Sequence, residues 1–249
     1  MEVSAAAAER HQPFRDVRGA GLIVFDPVRL RQAGPELLDP AHYGSAASPV
    51  GEGGRGAAWF VRGDAGDAVL RHYRRGGLAA RVGLRRYAWL GESRVRSLAE
   101  FRLLSQLHGE GLPVPAPLVA GYWRRGWGYD AAILVERIAG AKALSRWLGP
   151  DVDQAPWEAV GETVARFHLA GLDHADLNAD NVLVDANGQP WLIDFDRCLR
   201  RRSGGAWRER NLRRLARSLA KLSRGGSQWQ TGFARLQRAY AEAIKGVPA

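Results

Sequence analysis

Two short apolar runs near the C-terminal third of the chain are joined and bordered by acids and amides, in the stretch "HADLNADNVLVDANGQPWLIDFD" from His174 to Asp196. Three of these side chains have the types and spacing to do chemistry together. His174-x-Asp176 is followed after four residues by Asn181, and Asp194 closes the stretch. A carboxylate at Asp176 can orient or deprotonate a hydroxyl. Asn181 and Asp194 offer hard oxygen donors of the kind Mg²⁺ takes, since that ion uses one or two carboxylates and fills its shell with phosphate oxygens and water. Transfer of a phosphoryl group asks for little else from a protein beyond positioning and charge neutralisation. Asn187-Gly188 between the runs is a strong hairpin signal and would bring the two halves together. His174 reads better as a brace for the loop than as a participant.

The spacing H-x-D-x-x-x-x-N, with a later Asp opening a D-F-x triplet, matches the catalytic loop and metal-binding triplet of protein kinases. A lone H-x-D carries no weight; the full spacing in a strand-turn-strand setting does. The elements that precede it supply matching parts in order. Gly51-x-Gly53-x-x-Gly56 could let bare backbone approach phosphates. Taken alone, that pattern reads better as a surface loop. The strands on either side favour a phosphate-covering lid, whereas a dinucleotide site needs a following helix. In "AVLRHYRR", Arg71 is the cation placed to reach phosphates, because no Lys precedes Lys142. Glu100 in the next helix could pair with Arg71; taken alone it reads as a solvated helix charge.

The elements that must position these residues follow from periodicity. Residues 1–20 read as loosely ordered, and Leu22 to Phe25 as a strand ending at Asp26-Pro27. The stretch 40–56 is rich in Gly, Ser, Ala and Pro. Ala57–Val61 and Ala68–Tyr73 read as a hairpin across Gly63 to Asp67. Leu98, Phe101, Leu104 and Leu107 predict a helix over 97–107, ended by Gly109, Gly111 and three prolines. A strand at Ile133–Ile138 leads to Gly140. Trp157, Val160, Val164 and Phe167 mark a second helix. Leu212, Leu215, Leu219 and Leu222 form an apolar stripe, with Arg210, Arg214, Arg217 and Lys221 on the opposite face. The fold class predicted is α+β and two-lobed: residues 1–135 form a β-rich lobe with one main helix, and residues 136–249 a mostly helical lobe with an inserted hairpin.

Composition sets outer limits. The 249 residues are 46% hydrophobic and 25% charged, a globular rather than disordered balance. The opening "MEVSAAAAER" has no basic region followed by an apolar one, so no signal peptide is expected. A single Cys, Cys198, excludes an internal disulfide and a Cys-based zinc site, in keeping with a reducing compartment. The formal net charge is +10, carried almost wholly by Arg. Such a chain should meet something acidic: nucleic acid, anionic lipid or a phosphorylated substrate. A GC-rich genome also raises Arg content, but it does not decide where the Arg residues fall. No helix-turn-helix, zinc or RNA-binding aromatic pattern is present, which argues against nucleic acid. The intact Asp176, Asn181 and Asp194 argue against a pseudokinase.

On the segments "GRGAAWFV", "VLRHYRRGGLAARV", "RYAWLG", "SLAEFRLLSQL", "GLPVPAPLVAGY", "LVERI", "HADLNADNVLVD", "WLIDFDRC" and "NLRRLARSLAKL", the chain resembles the 3-deoxy-D-manno-octulosonic acid (Kdo) kinases. These belong to the protein-kinase-like superfamily, and the resemblance runs from about Gly21 to Leu222. It implies a protein-kinase-like fold and ATP- and Mg²⁺-dependent phosphorylation of the 4-hydroxyl of Kdo in Kdo–lipid IVA, during lipopolysaccharide core synthesis. The enzyme would work peripherally at the cytoplasmic face of the bacterial inner membrane, with no obligate protein partner. By the same resemblance Asp176 is the base, Asn181 and Asp194 hold the metal, Gly51, Gly53 and Gly56 cover the phosphates, and the backbone of Glu136 and Ile138 meets adenine. A core heptose kinase or another small-molecule phosphotransferase is the alternative. Arg71 stands where protein kinases carry Lys. Ala175 and Asn178 replace the loop's Arg and Lys, Asp196 replaces the triplet's Gly, and no Ala-Pro-Glu segment follows. Arg74, Arg75, Arg81, Arg85 and Arg86, interleaved with Tyr73, Tyr87 and Trp89, suit an anionic interface over acyl chains or a plain solvated face.

Overall fold

The structure, a computed structural model, describes residues 9–51, 58–73, 86–202 and 204–246. It is mixed α/β with antiparallel sheets, and the chain divides into two compact units. One runs to Glu110 and adds Pro115–Arg137; the other joins Gly111–Val114 to everything from Ile138 onward. The division thus falls two residues beyond the predicted 135/136, and 111–114 pack with the second unit.

In the first unit an antiparallel sheet orders its strands β1-β2-β7-β8-β5-β4-β3, with β6 also pairing β8. The strands are β1 (Arg10–Asp16), β2 (Gly19–Phe25), β3 (Ala47–Pro49), β4 (Ala58–Gly63), β5 (Gly66–His72), β6 (Tyr87–Ala88), β7 (Pro117–Arg125) and β8 (Gly128–Glu136). The β4–β5 hairpin is present, closed by Gly63 opposite Gly66. Residues 10–16, expected to be loose, instead pair with β2 over their whole length. This edge strand is polar and mostly exposed, so it lacks the alternation by which strands are read. Strand β7 carries no predicted strand at all, yet it is central. Pro117 sits at its first position, where a missing N–H is tolerated, and pairing on both sides overrides the weak strand propensity of Pro117 and Gly121.

One face of the sheet carries helix α1 (Arg96–Gly109), which buries Leu98, Phe101, Leu104 and Leu107 as its periodicity predicts. Ser97 Oγ donates to the Gly121 carbonyl at 2.9 Å and ties the helix start to β7. The Gly/Pro-rich stretch after Phe25 forms two 3-10 turns, Pro35–Leu38 and Pro40–Ala46. Leu38, Leu30 and Ala33 from this region join Ile23, Leu70 and Leu118 in a core cluster.

The second unit holds β9 (Lys142–Ala143), α2 (Trp157–Leu169), β10 (Leu172–Asp173), β11 (Val182–Val184), β12 (Pro190–Leu192), β13 (Leu199–Arg200), α3 (Ala206–Leu222) and α4 (Trp229–Lys245). Residues 229–245, for which no element is predicted, pack closely on α2. Two glycines make that approach possible. A Cβ on Gly161 would lie 2.2 Å from the Leu236 carbonyl oxygen, and one on Gly232 would lie 2.1 Å from the Trp157 indole. The stripe that α3 buries is Trp207, Asn211, Leu215 and Leu219. Leu222 is exposed and Leu212 half-buried, so the helix is rotated from its predicted orientation. Among the described residues, no helix is long and apolar enough to cross a membrane.

Candidate active site

The stretch from β10 to β13 is tied at both ends, because Leu172–Asp173 pairs with Leu199–Arg200. Between them β11 and β12 form the predicted hairpin. Its turn is longer than the two-residue Asn-Gly form. The Asp185 N–H donates to the Gln189 carbonyl, the Gly188 N–H donates to the Asp185 carbonyl, and Gly188 takes the left-handed conformation (φ 79°). The Asp185 carboxylate accepts from the Asn187 and Gln189 N–H groups and from Trp191 Nε1. Burial opposes its ionisation, and these donors outweigh that, holding its pKa below the ordinary value.

Ile193 is the junction between the two halves of the stretch. Its N–H donates to the Asn181 carbonyl at 3.1 Å, and its own carbonyl lies 3.1 Å from His174 Nε2. The Asp176 N–H donates to His174 Nδ1 at 3.2 Å. Nδ1 is therefore the acceptor and Nε2 carries the proton, so a neutral imidazole satisfies both bonds. Complete burial lowers the His174 pKa, against the pull of the Ile193 carbonyl and of Asp194 and Asp176. His174 is thus a backbone brace, as read from the sequence, and Phe195 packs against its ring at 5.3 Å.

The loop tip is equally constrained. Asn181 Nδ2 donates to the Asp176 carbonyl at 2.9 Å, which turns the Asn181 amide oxygen away from that backbone. Asn178 Oδ1 accepts from the N–H groups of Asp180 and Asn181. The residue standing where protein kinases carry Lys here shapes the turn. Asp176 is exposed, while Asn181 and Asp194 are half-buried. Asp194 has φ 64°, a left-handed conformation uncommon outside glycine, and its neighbour Phe195 is buried. Asn181 and Asp194 supply one amide and one carboxylate oxygen donor, a set that fits a hard cation completing its shell with water and phosphate oxygens. Among the described residues no cluster of three or more His, Cys, Asp or Glu forms a protein-only metal cage.

Helix α3 contributes positioning residues that carry no local motif. Asn211 Oδ1 accepts from the His174 N–H at 2.9 Å, and its Nδ2 donates to Asp173 at 2.9 Å. Arg214 donates to the Ala175 carbonyl. Ser218 Oγ accepts from the Ala179 N–H at 3.1 Å. These residues recur at intervals of three and four and form one helix face turned to the loop. Arg214 therefore does not belong to a solvated stripe, and Arg210 lies 4.0 Å from Asp173. Burial works against Asp173 ionising, but Arg201 at 2.5 Å and Asn211 prevail and lower its pKa.

In the first unit the expected partners meet. Arg71 on β5 donates to both carboxylate oxygens of Glu100 on α1, at 2.5 Å each. Glu100 is 4% exposed and also accepts from the Tyr73 hydroxyl. It is an internal charge held by its partners, in contrast to its reading as a solvated helix charge. Tyr73 is likewise buried rather than presented at an interface. Gly51 (φ 80°) begins the loop joining β3 to β4, and Pro49 pairs with Trp59 at the base of that hairpin. Gly53 and Gly56 lie outside the described residues, as do Arg74, Arg75, Arg81 and Arg85. The Glu136 N–H donates to the Ala116 carbonyl, and the Ile138 carbonyl accepts from the Ala141 N–H at 3.5 Å.

Comparison with known proteins gives this geometry a setting. The model of the lipopolysaccharide kinase (Kdo/WaaP) family matches residues 42–240. Over 240 residues, 96% of each chain, the sequence is 54% identical to the 3-deoxy-D-manno-octulosonic acid kinase of Stenotrophomonas maltophilia (strain R551-3). Over the same span it is 53% identical to the enzyme of that name from Xanthomonas axonopodis pv. citri (strain 306). It is 52% identical to that from Xanthomonas campestris pv. campestris (strain B100). The chain belongs to the lipopolysaccharide kinase (Kdo/WaaP) family.

Proposed function

We propose that this protein is a 3-deoxy-D-manno-octulosonic acid kinase that transfers the γ-phosphoryl group of ATP to the 4-hydroxyl of Kdo in Kdo–lipid IVA, at the cytoplasmic face of the inner membrane. The reading takes the fold as protein-kinase-like and two-lobed. The first unit carries the nucleotide contacts and the second the catalytic loop. The observation that carries it is the hydrogen-bonded frame through Ile193, which fixes Asp176, Asn181 and Asp194 on one continuous backbone network.

On this reading Asp176 accepts the proton of the acceptor hydroxyl as the new O–P bond forms and the bond to the β–γ bridging oxygen breaks, releasing ADP. Asn181 and Asp194 hold Mg²⁺, which when bound neutralises charge on the phosphates. Arg71, aimed by Glu100, takes the phosphate-facing place of the usual Lys. Its planar, permanently charged guanidinium can grip phosphate oxygens while remaining paired. The loop from Gly51 to Gly56 covers the phosphates, and the backbone at Glu136 and Ile138 receives adenine.

The test is to incubate purified protein with Mg–ATP and Kdo–lipid IVA and to weigh the product by mass spectrometry. One added phosphate on the Kdo residue is the expected result. Phosphate appearing instead on a heptose-bearing acceptor offered in competition would reassign the acceptor to core heptose. Transfer to neither would overturn the proposal.

A further inference from the structure

One end of the first unit's sheet has a surface that its internal packing does not use. Trp127 is 94% exposed, Val17 98% and Leu90 70%, three of the four most exposed large apolar side chains among the described residues. Single exposed apolar residues are ordinary, but these three are brought together from separate parts of the chain. The Trp89 N–H, one residue before Leu90, donates to the Trp127 carbonyl at 2.9 Å. Arg125 Nη2 donates to the Val17 carbonyl at 3.0 Å, and its Nε donates to that of Arg18. The β1–β2 turn, the β7–β8 turn and residues 87–90 thus form one tip. With β6 beside β8 it spans five neighbouring strands, a width of roughly 19 Å at the usual strand spacing.

The support under this tip is stiff. Trp89 packs on Tyr122 (5.1 Å) and Tyr129 (6.1 Å), and the Arg124 guanidinium lies over the Trp89 ring at 4.8 Å. Arg18 lies over Trp123 at 3.8 Å. The acids nearby are already engaged: Asp16 by Trp123 Nε1, Asp130 by Arg86 and Glu92 by the Tyr122 hydroxyl. Arg124 and Arg125 are exposed beside Trp127. Protruding Trp, Leu and Val on a rigid aromatic base, bordered by guanidinium groups, fit the boundary between anionic headgroups and acyl chains.

We infer that this tip is a membrane-docking surface, with Trp127 and Leu90 entering the headgroup boundary of an anionic bilayer and the neighbouring Arg residues contacting lipid phosphates. It extends the proposed function by assigning the contact with lipid to particular residues, but it stands on its own observations. The tip and the catalytic loop can therefore fail separately.

Flotation of the full-length protein with vesicles containing phosphatidylglycerol, compared with phosphatidylcholine alone, tests it. Wild type should bind the anionic vesicles preferentially and less tightly as salt is raised. Trp127→Ser and Leu90→Ser should each weaken binding by about fivefold to tenfold, with unchanged circular dichroism and unchanged transfer to a deacylated, water-soluble Kdo acceptor. Absence of binding by wild type, or equal binding by wild type and both variants, would overturn the inference. A Trp127-dependent change of mass in solution with vesicle binding intact would also overturn it, assigning the tip to contact between copies of the chain. If binding depends on Trp127 while no Kdo acceptor is phosphorylated, the docking surface stands and the kinase assignment falls.

Discussion

The Arg71–Glu100 pair and the loop from His174 to Asp194 are both held firmly, but by opposite means. The first is a buried charge on a helix, satisfied by side chains from a neighbouring strand. The second is a loop whose backbone groups are claimed one by one, mostly by neutral side chains, His174, Asn178, Asn211 and Ser218, with one guanidinium, Arg214, on the Ala175 carbonyl. The contrast separates two ways to place a reactive group. A charge pair transmits position through one strong, brittle contact. A backbone frame spreads it over several weaker ones, and leaves the exposed Asp176 carboxylate available for chemistry.

That contrast can be broken at several strengths. Asp194→Asn should have the largest effect. It removes the charge of a proposed metal ligand and should lower kcat by about a thousandfold, with the urea midpoint nearly unchanged; transfer within tenfold of wild type would remove Asp194 from the site. Glu100→Ala leaves Arg71 without this buried partner and should destabilise the protein by about 3 kcal/mol in urea unfolding. The Arg71→Ala/Glu100→Ala double variant should lose clearly less than the sum of the singles, and strict additivity would mean that the pair is not coupled.

Asn211→Ala strips the His174 N–H and Asp173 of a partner and should cost about 1–3 kcal/mol. Because it acts through the loop, kcat should fall while KM for ATP holds, whereas a purely structural role would leave kcat per folded molecule intact. A further effect is graded with pH. Burial, the leading cause, lowers the pKa of His168 to about 4, and it also lowers that of His174. Between the unfolded value of 6.5 and those depressed values, the unfolded chain binds more protons than the folded one. The stabilisation is complete above about pH 6.5 and is lost as pH falls, for His168 by about 1.4 kcal/mol per pH unit down to about pH 4. A pH series of unfolding midpoints checks the sign; constant stability from pH 7 to 4.5 would contradict it.

The parts of this site that are legible in the sequence are those with local grammar. His174, Asp176 and Asn181 fall within eight residues, and the hairpin to Asp194 is signalled by Asn187-Gly188. The brace from α3 is not legible, because Asn211 and Ser218 meet the loop some forty positions upstream, from a helix whose buried stripe contains a polar residue. Periodicity draws that stripe through Leu212 and Leu222 and so turns Arg214 outward. The burial of Glu100 is hidden for the same reason: a Glu between apolar helix positions looks solvated until a strand 29 residues earlier supplies Arg71. Strands β1 and β7 escape detection because one is a polar edge and the other contains Pro and Gly. In each case tertiary pairing decides what local propensity leaves open.

The central claim is that Asp176, held on this frame, handles the proton of the acceptor hydroxyl. Asp176→Asn keeps the side chain's shape and removes its basicity. Single-turnover transfer from Mg–ATP to Kdo–lipid IVA should fall by about a thousandfold, with nucleotide affinity and unfolding midpoint unchanged. Transfer by Asp176→Asn at close to the wild-type rate would contradict the account.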